Sequence, residues 1–436
     1  MTDSRRINRR NFLKDAAGVS IGAGIFHVVP ASALGLGGRV APSNRITMGC
    51  VGVGGQGTGN MNEFLNHGDL QVVAVCDVDK NRANDAKNNV NHKYNNTDCT
   101  AYNDFREVVG RTDIDTISLA TPDHWHGVVA VAALNSGKDV YGEKPLTHCL
   151  AEGRAIVNAQ IKNARIWQTG SWQRSQRDFR YASELVRSGK IGKVVRVDVG
   201  LPTGGGIGPV VFTNPPPELD YNFWVGPSRM LPYAPQRLHY QWRWQLDYGG
   251  GQMMDWIGHH GDIAHWGMDC NTTGPIEIEG KGDYPATGIY DAATTYHFIA
   301  KYRNGVEMHV ANAGNKDFSD LRMGTKWFGE NGHWVWVDRG GLDAYPKTLL
   351  QEPIEPQYRL FNSPGHHREF LNCVKTREPT ITPAEVAHRS ASIGHLGQIA
   401  MITGRKIHWN PDTEQIADDP TASRMLTTPM RSPWHV

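Results

Sequence analysis

The sequence predicts a two-domain protein, in which a doubly wound α/β domain with a parallel sheet precedes an α+β domain with an open, mainly antiparallel sheet. The first observation is an apolar, buried-strand pattern at residues 46–51 that runs into a glycine-rich turn and a helix-like segment. The second is a series of alternating runs without helices between them, which is typical of antiparallel strands. These runs lie at residues 194–199, 276–279, 292–302, 306–312 and 333–337. A chain of 436 residues is long enough for two such domains.

Composition argues against several function classes. The formal net charge is +1, so we expect no nucleic-acid partner. The six cysteines show no Cys-X-X-Cys spacing, and neither a disulfide framework nor a thiolate zinc site is indicated.

Residues 1–33 have the pattern of a targeting segment. Arg9 and Arg10 stand in a sequence that resembles the twin-arginine export motif, and Ala31-Ser32-Ala33 is a small-X-small cleavage pattern. The apolar region between them is too short and too rich in glycine and alanine to span a bilayer, so no stable membrane insertion is expected. We therefore predict export in the folded state and a periplasmic location. The alternative is a flexible basic tail.

The glycine loop that follows the first strand predicts a dinucleotide site. Gly52, Gly54 and Gly57 form a Gly-X-Gly-X-X-Gly motif between the strand and the helix. The first glycine permits a tight turn, the second lets the backbone approach a pyrophosphate, and the third lets helix and strand pack closely. The helix N-terminus then offers free N–H groups to the phosphates. This pattern indicates a Rossmann domain, although glycine is common enough here for the motif alone to be weak.

Asp77 strengthens this interpretation. It ends the second predicted strand, 20 residues after Gly57, where an acid meets the adenosine ribose hydroxyls. Because a carboxylate would repel a 2′-phosphate, NAD is expected over NADP. The alternative is an ordinary surface aspartate, and the nearby Asp79 and Arg82 leave the strictness of the preference open.

Two further strand ends carry polar residues. The strand at 116–120 runs into the sequence Thr-Pro-Asp-His-Trp-His at 121–126, and carboxyl ends of parallel strands are where α/β sheets hold ligands. We predict cofactor contacts from Thr121, Pro122 and His124, and a substrate contact from His126. Either histidine could instead be a helix cap or a packed side chain. The next strand ends in Glu143-Lys144-Pro145.

Together, the Thr-Pro-X-His-X-His run and the later Glu-Lys-Pro resemble the Gfo/Idh/MocA family of sugar and inositol oxidoreductases. The resemblance extends from about residue 45 to the C-terminus, and it implies a nucleotide domain at 44–171 and a substrate and oligomerisation domain at 172–404. The prolines at 411, 420, 429 and 433 predict that residues 405–436 form an extended arm that wraps a neighbouring subunit. The resemblance places Glu143 and Lys144 in the cofactor site, with Lys144 beside both the nicotinamide and the reacting hydroxyl. A partly desolvated lysine there could polarise a hydroxyl or relay a proton; otherwise Lys144 is a surface lysine before a proline. The resemblance also implies a homo-oligomer, dimer or tetramer, formed through the open sheet.

The same resemblance assigns residues in the second half. It places Trp172 near the nicotinamide and Arg174 near the substrate or the domain junction. Asp255 and His259, four residues apart on a predicted helix, share one face and match the family's Asp-X-X-X-His pattern. There the histidine takes the hydroxyl proton, which suits a pKa near working pH. Lys144, Asp255 and His259 are thus the predicted catalytic residues, and Asp255 and His259 also contact the substrate.

A metal site is the alternative for this helix. Asp255, His259, His260 and His126 could in principle form a ligand set. However, there is no His-Glu-X-X-His pattern, and His260 would point about 100° away from His259 on the same helix. No metal is therefore predicted.

An aromatic-rich block at 221–256 supplies further candidates, of which Tyr240 and Arg243 are predicted to bind substrate. Aromatic faces suit the C–H faces of sugars, and arginine suits hydroxyl or carboxylate groups. The alternative is a loop that packs on itself or against another subunit.

These observations predict an NAD-dependent oxidoreductase that oxidises or reduces a sugar or glycoside hydroxyl, with a cofactor that it retains and recycles. The first alternative is an NAD-dependent glycosidase that acts through transient oxidation and elimination. The second is a non-catalytic sugar-binding protein.

Overall fold

The parallel sheet of the nucleotide domain is formed as predicted. The computed structural model describes residue 41, residues 44–312 and residues 321–436. Within these residues a six-stranded sheet has the order β3-β2-β1-β4-β5-β6, and every neighbouring pair is parallel. The strands are β1 (Ile46–Val51), β2 (Leu70–Cys76), β3 (Thr100–Tyr102), β4 (Thr116–Leu119), β5 (Asp139–Gly142) and β6 (Trp167–Thr169). The strand order reverses between β1 and β4, and in such sheets the crevice at this point holds the ligand.

Helices connect these strands. They are α1 (Gly55–Phe64), α2 (Lys80–Tyr94), α3 (Phe105–Val109), α4 (Asp123–Asn135) and α5 (Leu150–Asn163). Helix α4 begins directly after Pro122, so the histidines of the Thr-Pro motif lie in its first turns.

The second sheet is open and mainly antiparallel, which confirms the prediction. Nine strands are described in it, in the order β13-β12-β11-β7-β10-β9-β8-β14-β15. Among these described strands, only β7 and β10 pair in parallel. The strands are β7 (Val194–Leu201), β8 (Glu277–Asp283), β9 (Thr295–Lys301), β10 (Glu307–Asn312), β11 (Gly324–Gly329), β12 (Trp334–Asp338), β13 (Gly341–Tyr345), β14 (Ile407–Asn410) and β15 (Gln415–Ile416).

Helices of the second half cover this sheet and join it to the nucleotide domain. They are α6 (Arg177–Arg187), α7 (Tyr221–Val225), α8 (Gly251–Trp256), α9 (Asp262–Met268), α10 (His366–Thr376), α11 (Ala384–Thr403) and α12 (Pro420–Arg424). A π-helical turn at Ile257–Gly261 joins α8 to α9, and short 3₁₀ turns lie at Trp172–Ser175, Pro235–Arg237, His239–Trp244, Lys347–Gln351 and Pro356–Tyr358. Ile46–Val436 form one compact unit. In the part of the chain that the structure describes, no helix is long and apolar enough to cross a membrane.

The segment at 405–436 differs from the extended arm that we predicted. Ile407 and Trp409 are buried, because β14 pairs with β8 at the edge of the sheet. Near the end of the segment, the Trp434 ring lies 4.7 Å from that of Trp125 and 5.3 Å from that of Phe223. The segment therefore packs on its own chain, and burial of its apolar side chains explains why. The predicted targeting segment, 1–33, lies outside the described residues.

Candidate active site

A cleft of about 360 Å³ opens at the carboxyl ends of β1, β4 and β5. Its other wall is residues 218–243, which we call the strap. Backbone hydrogen bonds dock the strap on the end of β2: Lys80 N–H donates to Glu218 O (3.0 Å), and Asp220 N–H donates to Val78 O (2.9 Å). Strap residues that line the cleft are Leu219, Phe223, Trp224, Leu238, His239, Tyr240, Trp242 and Arg243. The cleft is thus enclosed by both halves of the chain.

The glycine loop leaves no room for side chains at two of its positions. Gly52 has φ +79°, and a Cβ there would lie 2.6 Å from the carbonyl oxygen of Ala120. A Cβ on Gly57 would lie 1.8 Å from the carbonyl oxygen of Gly52. Gly54 immediately precedes α1, so the free N–H groups of the first turn face the cleft that a pyrophosphate would occupy. These features fit a dinucleotide.

Asp77 lies at the floor of the cleft. Its Oδ2 accepts a hydrogen bond from Val53 N–H (3.0 Å), and its Oδ1 accepts one from Asp79 N–H (3.0 Å). Burial raises the pKa of Asp77 despite these bonds. Each carboxylate oxygen has a second lone pair, which can accept a ribose hydroxyl. Arg82 lines the same cleft and contacts His239 of the strap through a hydrogen bond.

The loop after β4 lies in the cleft, but its two histidines do not line it. Thr121 and Pro122 line the cleft. His126 is buried, and its ring nitrogens lie 2.9 Å from the carbonyl oxygens of Thr121 and Pro145, so it bridges the loops that follow β4 and β5. His124 lies 3.0 Å from the carbonyl oxygen of Trp224 and packs among aromatic rings. Burial lowers the pKa of His126 to about 4 and that of His124 to about 3, so both side chains are packed, neutral imidazoles.

Glu143 joins the end of β5 to the glycine-loop helix. Its Oε1 accepts hydrogen bonds from Asn60 Nδ2 (2.8 Å) and Gln56 Nε2 (3.0 Å). Burial raises the pKa of Glu143. Its side chain lines the cleft, and it orders the first turns of α1 beside the proposed pyrophosphate position.

Lys144 and Asp255 form the polar centre of the site. Lys144 Nζ donates to Asp255 Oδ1 (2.8 Å), and Arg243 Nε donates to the same oxygen (3.2 Å). Burial alone would raise the pKa of Asp255, but the charges and hydrogen bonds of Lys144 and Arg243 outweigh it and lower that pKa. Arg243 also stacks on the rings of Tyr240 (4.4 Å) and Trp242 (4.5 Å). The structure therefore brings together four of the residues that the sequence indicated: Lys144, Asp255, Arg243 and Tyr240.

His259 adjoins this centre from the π-helical turn. A Cβ on Gly258 would lie 3.2 Å from Lys144 Cβ, so the turn packs directly against the lysine. The His259 ring lies between those of Trp172 (6.4 Å) and Trp256 (5.4 Å). Burial and then the charges of Lys144 and Arg339 lower the pKa of His259 well below its usual value. The imidazole is therefore neutral and its lone pair is available, but its pKa lies below the near-neutral value expected from the sequence for the base. The π-helical turn replaces the regular α-helix assumed for the four-residue spacing, and such turns are frequent at functional sites.

Arg174 lies outside the cleft. Its guanidinium is buried and donates to both carboxylate oxygens of Asp262, at 2.7 and 2.8 Å. The same arginine donates to Asn271 (3.0 Å), and Asp262 accepts from the Ser390 hydroxyl (2.7 Å). With these partners Arg174 joins the elements of the second domain, so we leave it out of the proposed substrate site.

Two site residues escaped the sequence analysis. Asp123 lines the cleft at the first position of α4, and burial raises its pKa well above the usual range. Asp123 is part of the Thr-Pro motif, and its position at the start of a helix that follows a strand could have identified it as a site residue. Arg339 comes from the turn after β12 and stacks on Trp172 and Trp256, which flank His259. No local motif marks it. Among the described residues, no group of three or more His, Cys, Asp or Glu is arranged to hold a metal ion.

Comparison with protein families identifies both halves. Residues 46–171 match the NAD-binding Rossmann fold of the Gfo/Idh/MocA oxidoreductase family. Residues 181–436 match the family's C-terminal alpha/beta domain. The chain belongs to the Gfo/Idh/MocA oxidoreductase family. Its first domain is therefore an NAD-binding Rossmann domain, in agreement with the glycine loop and Asp77.

Curated relatives match over part of their length. Inositol 2-dehydrogenase from Salmonella typhimurium is 32% identical over 151 residues, which cover 34% of this chain and 44% of that enzyme. Alpha-N-acetylgalactosaminidase from Shewanella oneidensis is 26% identical over 207 residues, covering 43% of this chain and 44% of that enzyme. The chain thus matches less than half the length of these relatives.

Solved structures share the fold across both domains. The WlbA dehydrogenase from Bordetella pertussis, solved with NADH and UDP-GlcNAcA, has a TM-score of 0.63 and 17% identity, covering 84% of this chain and 99% of that one. The aldose-aldose oxidoreductase from Caulobacter crescentus has a TM-score of 0.61 and 18% identity, with the same coverage. At these identities the similarity establishes the architecture.

Proposed function

We propose that the protein is an NAD-dependent oxidoreductase that acts on a hydroxyl group of a sugar or glycoside. The observation that carries this proposal is the Lys144–Asp255 ion pair beside His259 at the dinucleotide cleft. Bound NAD would supply the hydride acceptor or donor.

The residues divide the work as follows. His259, held neutral by burial and by the neighbouring cations, accepts the hydroxyl proton during oxidation and returns it during reduction. Lys144 Nζ donates two hydrogen bonds to Asp255, and its third N–H would stabilise negative charge that develops on the oxygen. Asp255 fixes Lys144 and Arg243 through one carboxylate oxygen, so both cations are positioned before the sugar binds.

Retention of the cofactor is part of this proposal. The strap covers the adenosine side of the cleft, where Leu219, His239 and Tyr240 face the nucleotide domain. Release would require the strap to detach from residues 78–80, including the backbone hydrogen bonds there. Slow exchange would let one bound NAD be reduced by one sugar and oxidised by another. If protein that has been desalted and dialysed carries neither nicotinamide absorbance nor cofactor mass, retention is wrong.

NAD over NADP is the further expectation. Asp77 presents a half-buried carboxyl to the cleft, and a 2′-phosphate on a ribose bound there would be repelled by it. Arg82 is the opposing feature, although its guanidinium contacts His239 and lies 3.8 Å from Asp79. Fluorescence titration with NADH and NADPH measures the preference, and equal affinities would contradict it.

The catalytic assignment is tested with a panel of sugars monitored for keto products, using wild type, His259→Ala and Lys144→Met. We expect both variants to lose turnover by roughly 100-fold or more, as is usual when a positioned acid or base is removed. His408→Ala, which changes an exposed histidine of β14, is the matched control and should be fully active. Undiminished turnover of His259→Ala would exclude this mechanism.

A glycosidase is the second candidate, and the similarity to an alpha-N-acetylgalactosaminidase favours it. In this case transient oxidation would be followed by elimination of the aglycone and by reduction, so no net NADH would form. A chromogenic glycoside distinguishes the two activities. Release of the aglycone supports the glycosidase if no NADH accumulates and no second sugar has to be added as a hydride acceptor.

We also propose export through the twin-arginine route, on the strength of Arg9, Arg10 and the pattern at 31–33. Replacing both arginines by lysine should retain the protein in the cytoplasm in cell fractionation.

A homo-oligomer formed through the open sheet remains part of the proposal, and light scattering of the purified protein tests it.

A further inference from the structure

Arg339 lies against the aromatic rings beside His259. Its guanidinium carbon lies 4.6 Å from the centre of the Trp172 ring and 4.5 Å from that of Trp256. These are the two rings that flank His259. A guanidinium held against two indoles beside the proposed base is placed to meet the bound sugar.

Gln173 fixes the orientation of this guanidinium. The side-chain amide of Gln173 is oriented so that both its oxygen and its nitrogen form hydrogen bonds. Gln173 Oε1 accepts from Arg339 Nε (3.2 Å), and Gln173 Nε2 donates to the backbone oxygen of His259 (3.1 Å). Gln173 is itself buried, with 1% of its surface exposed. The hydrogen bond uses Nε, and among the described residues neither Nη group of Arg339 donates a hydrogen bond. One edge of the guanidinium therefore remains available to a ligand.

Arg339 forms no close ion pair with a carboxylate among the described residues, although the charges of Asp338 and Asp255 act on it from farther away. Lys144 and Arg243 share the carboxylate of Asp255. Asp338, next in the chain to Arg339, lies 3.4 Å from His260 Nε2 and forms no ion pair with Arg339 among the described residues. Lys144 and Arg243 thus have a carboxylate at ion-pair distance, whereas Arg339 has none among the described residues, and an anionic ligand would supply one.

We infer that the substrate is an anionic sugar, whose carboxylate or phosphate ester is bound by the free Nη groups of Arg339 while the reacting hydroxyl meets His259 and Lys144. Guanidinium groups bind both oxyanions through paired N–H donors. This inference rests on the proposed function, since it assigns the substrate class of the same site.

Calorimetry on the purified protein, with NAD added to saturation, tests it independently of turnover. The probes are D-glucuronate and D-galacturonate for the carboxylate, D-glucose 6-phosphate for the phosphate ester, and D-glucose and D-galactose as neutral partners. We expect at least one acid to bind roughly 10- to 100-fold more tightly than its neutral partner, the range for a charge-assisted hydrogen-bond pair. The preferred acid identifies the oxyanion.

Arg339→Gln should abolish that preference, and Arg339→Lys should retain part of it. Arg322→Gln is the matched control, because Arg322 also stacks on a tryptophan (Trp336, 3.6 Å) but does so on the sheet. If no acid is preferred over its neutral partner, or if Arg339→Gln leaves the preference unchanged, the inference is wrong. Failure of the proposed function would look different: sugar acids would bind in an Arg339-dependent way, yet no sugar would be oxidised or reduced.

Discussion

Replacement of Arg174 by methionine should destabilise the protein strongly while leaving sugar affinity intact. The Arg174 and Asp262 side chains are each 2% exposed, and they are joined by two hydrogen bonds of 2.7 and 2.8 Å. At an effective dielectric constant of about 20, charges at this separation attract by about 6 kcal/mol before desolvation is counted. Removing only the arginine leaves a buried carboxylate with the Ser390 hydroxyl as a donor, at a net cost of roughly 3–5 kcal/mol. Urea unfolding followed by tryptophan fluorescence measures the loss.

Two further variants isolate the cause. Arg174→Met/Asp262→Leu removes both charges and should be more stable than Arg174→Met alone, because no buried carboxylate remains unpaired. Arg303→Met breaks an exposed pair with Asp412 and should change stability by less than about 1 kcal/mol. An Arg174→Met variant that unfolds within about 1 kcal/mol of wild type, but binds sugar weakly, would refute this reasoning and return Arg174 to the substrate site.

Other outcomes follow from the same geometry. Gly57→Ala places a Cβ 1.8 Å from a carbonyl oxygen of the same loop and should weaken NADH binding roughly tenfold or more in a fluorescence titration, whereas Gly59→Ala, an exposed position with nothing within 4 Å of its Cβ, should bind normally. Asp255→Asn leaves Lys144 and Arg243 without a carboxylate and should lower the free energy of unfolding by roughly 2–4 kcal/mol at pH 7. Because the folded-state pKa of Asp255 lies below its ordinary value of 3.8, the wild-type advantage should be full above about pH 5 and shrink as the pH falls through 3.8. A pH-independent difference between the two proteins would contradict that assignment.

The sequence predicts features whose signals are local. A strand, a glycine loop and a helix follow one another directly, so Gly52, Gly54 and Asp77 could be placed in the cleft from spacing alone. Lys144 ends a buried strand, and the strand fixes where its side chain emerges. Asp255 remains paired with Lys144 even though an unforeseen π-helical turn follows it.

The features that escaped depend on contacts between distant parts of the chain. In the sequence, the charged Arg174 stands two residues from Trp172 and so close to the predicted nicotinamide site. Only the fold reveals that its guanidinium is paired with Asp262. Arg339 belongs to a turn between two strands, where nothing in the neighbouring sequence reveals the two tryptophans beneath it. The segment at 405–436 contains strands of four and two residues, too short for alternation to distinguish them from an extended arm.

The packing of the C-terminal segment has a consequence for biosynthesis. The hydrophobic core of the nucleotide domain includes Phe370 and Leu371 of α10, and Trp434 covers Trp125 on its surface. A nascent chain that has emerged from the ribosome only as far as β6 lacks all of these side chains and exposes the apolar surface that they cover. Although domains generally fold as units from the N-terminus onward, the nucleotide domain here completes its core only after Phe370 and Leu371 of α10 have been synthesised.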